Sequence, residues 1–92
     1  MNLQKGDHVQ IVANWNWPQP CTGRIAPPPA AVAAGLEGDE AWLGCRRLVR
    51  GRKGPIEFYW VWFDEPQMDS DGDGPYSGGE VETEYLRRLE RA

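Results

Sequence analysis

Ninety-two residues with a net charge of −4 leave room for one domain, not two. The negative balance sets nucleic acid aside as the default partner, because phosphate recognition usually carries a surplus of Lys and Arg. No stretch approaches the ~20 apolar residues of a membrane span, and the opening Met1-Asn2-Leu3-Gln4-Lys5-Gly6 lacks the apolar core of a secretory signal, so a cytoplasmic protein without membrane contact is expected.

A chain this short buries only about 60–65% of the surface its unfolded form exposes. Its core must therefore use a few large side chains, and five Trp, three Tyr and two Phe are available. Each buried aromatic removes about 150–250 Å² from water. Eleven Gly and eight Pro favour turns and short strands over long helices.

In chain order, Gly6-Asp7 is a turn, after which Val9, Ile11 and Ala13 alternate with His8, Gln10 and Val12 as in a strand. Asn14 to Pro20 is a loop, because Pro18 and Pro20 cannot donate to a ladder. Cys21 to Ala26 reads as a second strand. Pro27-Pro28-Pro29 is extended, Ala30 to Ala34 fits one helical turn, and Gly35 and Gly38 stop it. The whole of 27–40 reads as an inserted loop. Ala41 to Arg50 resumes strand character, and Gly51-Arg52-Lys53-Gly54 is a hairpin tip.

Ile56 to Phe63 has the strongest strand pattern. Phe58, Trp60 and Trp62 share one face, and Tyr59, Val61 and Phe63 share the other. With both faces apolar, the strand is either covered on both sides or offers one face for contact. Asp64-Glu65-Pro66 is expected to end it. An acidic, glycine-rich loop spans 67–79. Val81, Tyr85 and Leu89 then follow at helical spacing, with Glu84 and Arg88 as an i,i+4 pair. A short helix, or a helical turn leading into a last strand, fits this segment.

Two stretches resemble the Src-homology-3-like small barrels. Lys5-Gly6-Asp7-His8-Val9-Gln10-Ile11-Val12, followed by Thr22-Gly23-Arg24-Ile25, is similar to the opening of the KOW and Tudor-like barrels. Val61-Trp62-Phe63-Asp64, Gly74-Pro75-Tyr76, Glu80-Val81 and Tyr85-Leu86 are similar to the ending of two further barrels. These are the E component of the photosystem I reaction centre and the ferredoxin–thioredoxin reductase variable chain, in which a strand ending in Phe-Asp precedes a long loop, a helical turn and a final strand. The resemblance implies a mainly β, five-stranded barrel over residues 1–92, with the 27–40 insertion and a short C-terminal helical turn. It also implies a non-catalytic binding role, although fold alone does not assign function.

Asp69-Ser70-Asp71-Gly72-Asp73-Gly74-Pro75-Tyr76-Ser77-Gly78-Gly79-Glu80 fits the spacing of a calcium loop. Calcium takes six to eight hard oxygens at about 2.3–2.6 Å. Asp69, Asp71 and Asp73 would wrap it, Pro75 would offer its carbonyl, Ser77 would hold a water or ligate directly, and Glu80 would close the site. The alternative is an exposed acidic turn, in which Asp bonds nearby backbone.

Trp15 and Trp17 beside Pro18 and Pro20, with Tyr59 or Phe63, are candidates for gripping a partner protein or peptide. Equally, the two tryptophans can cap an open end of the barrel. Arg46, Arg47, Arg50, Arg52 and Lys53 form the one dense basic stretch, which suits either an anion or a solvated hairpin tip. His8, Cys21 and Cys45 belong to no catalytic or CxxC signature, and two reduced thiols are expected. The expectation is a non-catalytic interaction module with no certain cofactor, monomeric or weakly dimeric. The alternatives are calcium binding through 69–80 and nucleic-acid binding through 46–53.

Overall fold

The computed structural model describes residues 2–89; Met1 and Glu90 to Ala92, the ends of the expected domain, lie outside the described residues. The strands are β1 (His8–Ile11), β2 (Cys21–Ile25), β3 (Arg46–Gly51), β4 (Gly54–Gln67), β5 (Tyr76–Glu82) and β6 (Leu86–Arg88). One short helix, α1 (Ala30–Ala34), and two 3₁₀ turns, Gly38–Glu40 and Thr83–Tyr85, complete the elements. The chain is thus mainly β, and the strands form one antiparallel sheet curled into a half-barrel.

β4 is the hub. Along one edge it pairs first with β3, through residues 54–59, and then with β2, through 61–63. The handover falls at Trp60, whose N–H donates to Cys45 O and whose carbonyl accepts from Ala26 N. Along its other edge β4 pairs with β5. β2 continues to β1, and β1 to β6, so the order away from β5 is β4-β2-β1-β6.

Alternation decides what lies inside. Val9 and Ile11, Ile25, Tyr59, Val61 and Phe63, Val81 and Leu86 all point into the concave side, joined by Leu3 and Trp17. Val9, Ile11, Ile25 and Val61 are fully buried. At about 25 cal/mol per Å², such side chains each contribute roughly 1.5–3 kcal/mol over an exposed position.

Two sheet glycines let backbone and ring approach closely. A Cβ on Gly23 would lie 2.5 Å from the Trp62 carbonyl oxygen. A Cβ on Gly79 would overlap the Trp17 ring, which lies directly against the β5 backbone.

Two expectations change in the structure. Pro66 does not end the strand, because β4 runs on to Gln67. Four β4 residues (Phe63 to Pro66) face the single residue Ser77 on β5 between the Trp62 and Gln67 pairings, so this bulge leaves Pro66 out of the β5 ladder. The acidic loop is also shorter than 67–79, because Tyr76 to Gly79 have joined β5. The C-terminal segment takes the second of its two expected forms, a helical turn leading into a last strand.

Gly79→Ala should therefore destabilise the protein by about 1–3 kcal/mol through overpacking against Trp17. Gly35→Ala, whose Cβ would meet nothing closer than 3.6 Å, should stay within about 0.5 kcal/mol of the parent. Urea unfolding of both variants checks the contrast.

Candidate interaction face and its neighbours

Asn14 sorts the two loop tryptophans. Its Oδ1 accepts the N–H groups of Asn16 and Trp17, both at 3.1 Å, and its own N–H donates to Trp17 O at 2.9 Å. This tight turn sends Trp17 inward and Trp15 outward. Trp17 is 5% exposed, donates Nε1–H to Glu80 O at 3.0 Å, and meets Phe63 edge-on at 4.8 Å between ring centroids. Trp15 is 62% exposed, and its Nε1–H donates to Glu82 Oε1 at 2.7 Å.

The expected set of Trp15, Trp17, Tyr59 and Phe63 therefore does not form one surface. Tyr59 and Phe63 are 4% and 9% exposed, because they occupy the inward positions of β4. Only Trp15 remains open to a partner. The outward face of β4 is covered in part, with Trp62 still 36% exposed. Trp42, from the 27–45 segment, packs edge-to-face on Trp60 at 5.8 Å, and Trp60 meets Trp62 at 6.0 Å. Trp62 donates its indole N–H to Pro27 O, and the Arg47 guanidinium sits 5.9 Å from the Trp42 ring centre.

Beside Trp15 lies a groove of about 300 Å³, lined by Pro55, Ile56, Glu57, Glu82, Thr83 and Glu84. Glu57 is compensated, with Arg46 Nε at 3.0 Å and the Thr83 hydroxyl at 2.9 Å. Glu82 is not. Burial pushes its carboxyl pKa up, the Trp15 indole pulls the other way, and the neighbouring Glu84 carboxyl pushes it up again. Neither Glu82 nor Glu84 has an ion-pair partner among the described residues. Arg87 donates to the Glu84 carbonyl instead of its carboxylate.

A second groove, of about 540 Å³, lies between the Gly38–Glu40 turn and the β3–β4 hairpin. Its lining mixes Asp39 and Glu40 with Arg50 over Leu48, Val49 and Pro55. The Glu40 carboxylate already accepts the Arg50 backbone N–H at 2.8 Å.

The structure brings together three of the expected calcium ligands. Carboxylate oxygens of Asp69, Asp71 and Asp73 lie within 4.8 Å of one another. Glu80 does not join them. Ser77 and Glu80 belong to β5, an extended strand that rises about 3.3 Å per residue away from the loop. Pro75 and Ser77 are exposed, and the Glu80 carboxylate pairs with Arg47 at 3.1 Å. Asp69 Oδ1 also accepts the N–H groups of Asp71 and Asp73, at 3.0 and 2.9 Å. Partial desolvation, and then the three aspartates, push the Tyr76 phenol up.

The basic stretch is divided. Arg46 pairs with Glu57; Arg47 is held by Glu80, the Glu40 carbonyl and Trp42. Arg52 and Lys53 sit exposed at the hairpin tip.

Nothing in the sequence singles out Asp64 as a site residue. In the structure its Oδ2 receives His8 Nε2 at 2.8 Å and the Thr22 hydroxyl at 2.5 Å, pinning β1, β2 and β4 together on the outer face. The signal lay in strand register, which places Thr22 beside Asp64 once Gly23 pairs with Phe63. The Thr22 hydroxyl bonds the carboxylate and not the imidazole, so the nucleophile–base link of a catalytic triad is not made. Burial and then the Asp64 charge push the Cys21 thiol to about 11, and burial raises Cys45 as well. Both cysteines are free and held away from the reactive thiolate form.

These features define a mainly β half-barrel whose most exposed tryptophan, Trp15, is hydrogen-bonded to Glu82 on the wall of an acidic groove. Comparison with protein-family profiles, curated proteins and solved structures finds no match to the chain. No helix among the described residues is long and apolar enough to cross a membrane.

Hydrogen bonds from Thr22 and then His8 hold the Asp64 carboxyl below its usual range. That contribution to stability is present above about pH 4 and is lost as pH falls through the depressed folded value. Asp64 is 42% exposed, so solvent screens much of it. Asp64→Asn should flatten the acid limb of the stability profile, measured as urea midpoints from pH 7 down to about pH 2.

Proposed function

We propose that this chain is a non-catalytic protein-interaction module built on an Src-homology-3-like barrel. The order β5-β4-β2-β1-β6 supports the barrel reading, as does the 3₁₀ turn before the last strand. The loop and helical turn that follow the long strand fit the resemblance, whereas the strand runs past Phe63-Asp64 to Gln67. The free thiols of Cys21 and Cys45 suit a reducing compartment such as the cytoplasm.

One observation carries the interaction reading: Trp15 is 62% exposed yet held in place by Glu82. Large aromatics fixed at the surface are the residues on which partner binding most often concentrates. Immobilising Trp15 in advance also lowers the entropy cost of docking. Trp15→Ala should cost about 1 kcal/mol of stability or less, since it removes an exposed ring and one exposed hydrogen bond. With the protein as bait, this variant should lose partners that wild type retains. Equal recovery by both would reduce Trp15 to a structural ornament.

A second reading is a divalent-cation site at Asp69, Asp71 and Asp73, favoured by their convergence within 4.8 Å. A lone site of this kind binds in the ~10⁻⁴–10⁻³ M range. Calcium titration should then move the amide NMR signals of 69–73 and leave Glu80 still. No movement at millimolar calcium removes this reading.

A further inference from the structure

We infer that the groove beside Trp15 receives a basic, extended segment of a partner protein; the inference rests on the interaction reading above and gives that partner its chemistry. Charge complementarity is the first argument. Glu82 and Glu84 stand side by side on one wall with no ion-pair partner among the described residues, whereas Glu57 opposite them is already satisfied by Arg46 and Thr83. Two adjacent carboxylates repel each other, and an incoming Lys or Arg relieves that repulsion while forming charge-assisted hydrogen bonds.

The Trp15 indole supplies the second argument. Its ring is mostly exposed, and its N–H is fixed to the same Glu82 carboxylate. That bond holds the Glu82 carboxylate in one place before a cation arrives, which lowers the cost of ordering it on binding. The remaining lining, Pro55, Ile56 and Thr83, suits the aliphatic stem of such a side chain.

Size gives the third argument. About 300 Å³ holds only a few side chains, too little for a helix about 10–12 Å across. A strand-like segment can place alternate side chains in the groove and leave the others in solvent. The larger groove at Arg50 lacks this selectivity, because both signs of charge line it.

Amide and indole NMR shifts of the full chain can test this, using three short peptides. One alternates arginine with proline; the others carry glutamine or glutamate in place of arginine. The arginine peptide should move the signals of Trp15, Ile56 and Glu82 to Glu84, and the glutamine and glutamate peptides should not. Combined Glu82→Gln and Glu84→Gln substitution should weaken the effect about tenfold. Raising NaCl from about 50 to 500 mM should weaken it similarly in the unaltered protein. Equal shifts from the arginine and glutamine peptides would overturn the basic partner while leaving Trp15 as an interaction face. Shifts that depend on protein concentration alone would overturn it in favour of a second copy of this chain. No shift at this face with any peptide would also overturn it, and the Trp15→Ala capture comparison would then judge the interaction reading separately.

Discussion

The fold depends on β4 being wanted on all sides. Its two edges bond β3, β2 and β5, and its two faces carry aromatic side chains that both need cover. A strand of this kind cannot lie at the rim of a sheet without exposing a broad apolar surface. The inward face is covered by curling the sheet until Val9, Ile11, Ile25, Val81 and Leu86 meet Tyr59, Val61 and Phe63. Trp17 closes that interior where Gly79 leaves room for its ring.

The outward face is covered by different means. Trp42 and the Pro27 carbonyl come from the 27–45 segment and pack on Trp60 and Trp62. That segment is therefore a lid for the sheet and not a free appendage. It also protects the rim of β3. Leu43 exchanges backbone hydrogen bonds with Arg46, and the Glu40 carboxylate accepts the Arg50 N–H. Edge groups satisfied in this way are withdrawn from unwanted pairing. Such cover directs attention to the Trp15 side, where the acidic groove opens.

Much of the architecture was legible because strands announce themselves by alternation. Val9 and Ile11 against His8 and Gln10 indicated β1, and Gly51-Arg52-Lys53-Gly54 marked the hairpin. Ala30 to Ala34 between prolines and Gly35 marked the short α-helix. The misjudged boundaries have local causes. Pro66 usually breaks a ladder, but a bulge excuses it from bonding to β5. Tyr76 to Gly79 read as loop on composition, and their pairing with β4 made them strand. The candidate site was less legible. Trp15 was visible as an aromatic on a loop, but nothing in Trp15 and Trp17 alone says which one turns inward.

By itself the sequence determined that short alternating segments would bury an aromatic-rich centre, because the two-residue period and the turn residues are local properties. It also determined that Ile56 to Phe63 would either be covered on both faces or offer one face for contact. Only the tertiary structure decided what supplies that cover and which carboxylates meet which donors. Glu80 went to Arg47 and not to the aspartate loop, Asp64 to His8 and Thr22, and Glu82 to Trp15. The reason is physical: side chains far apart along the chain meet only when sheet register and curl bring their strands together, and residue spacing does not encode that geometry.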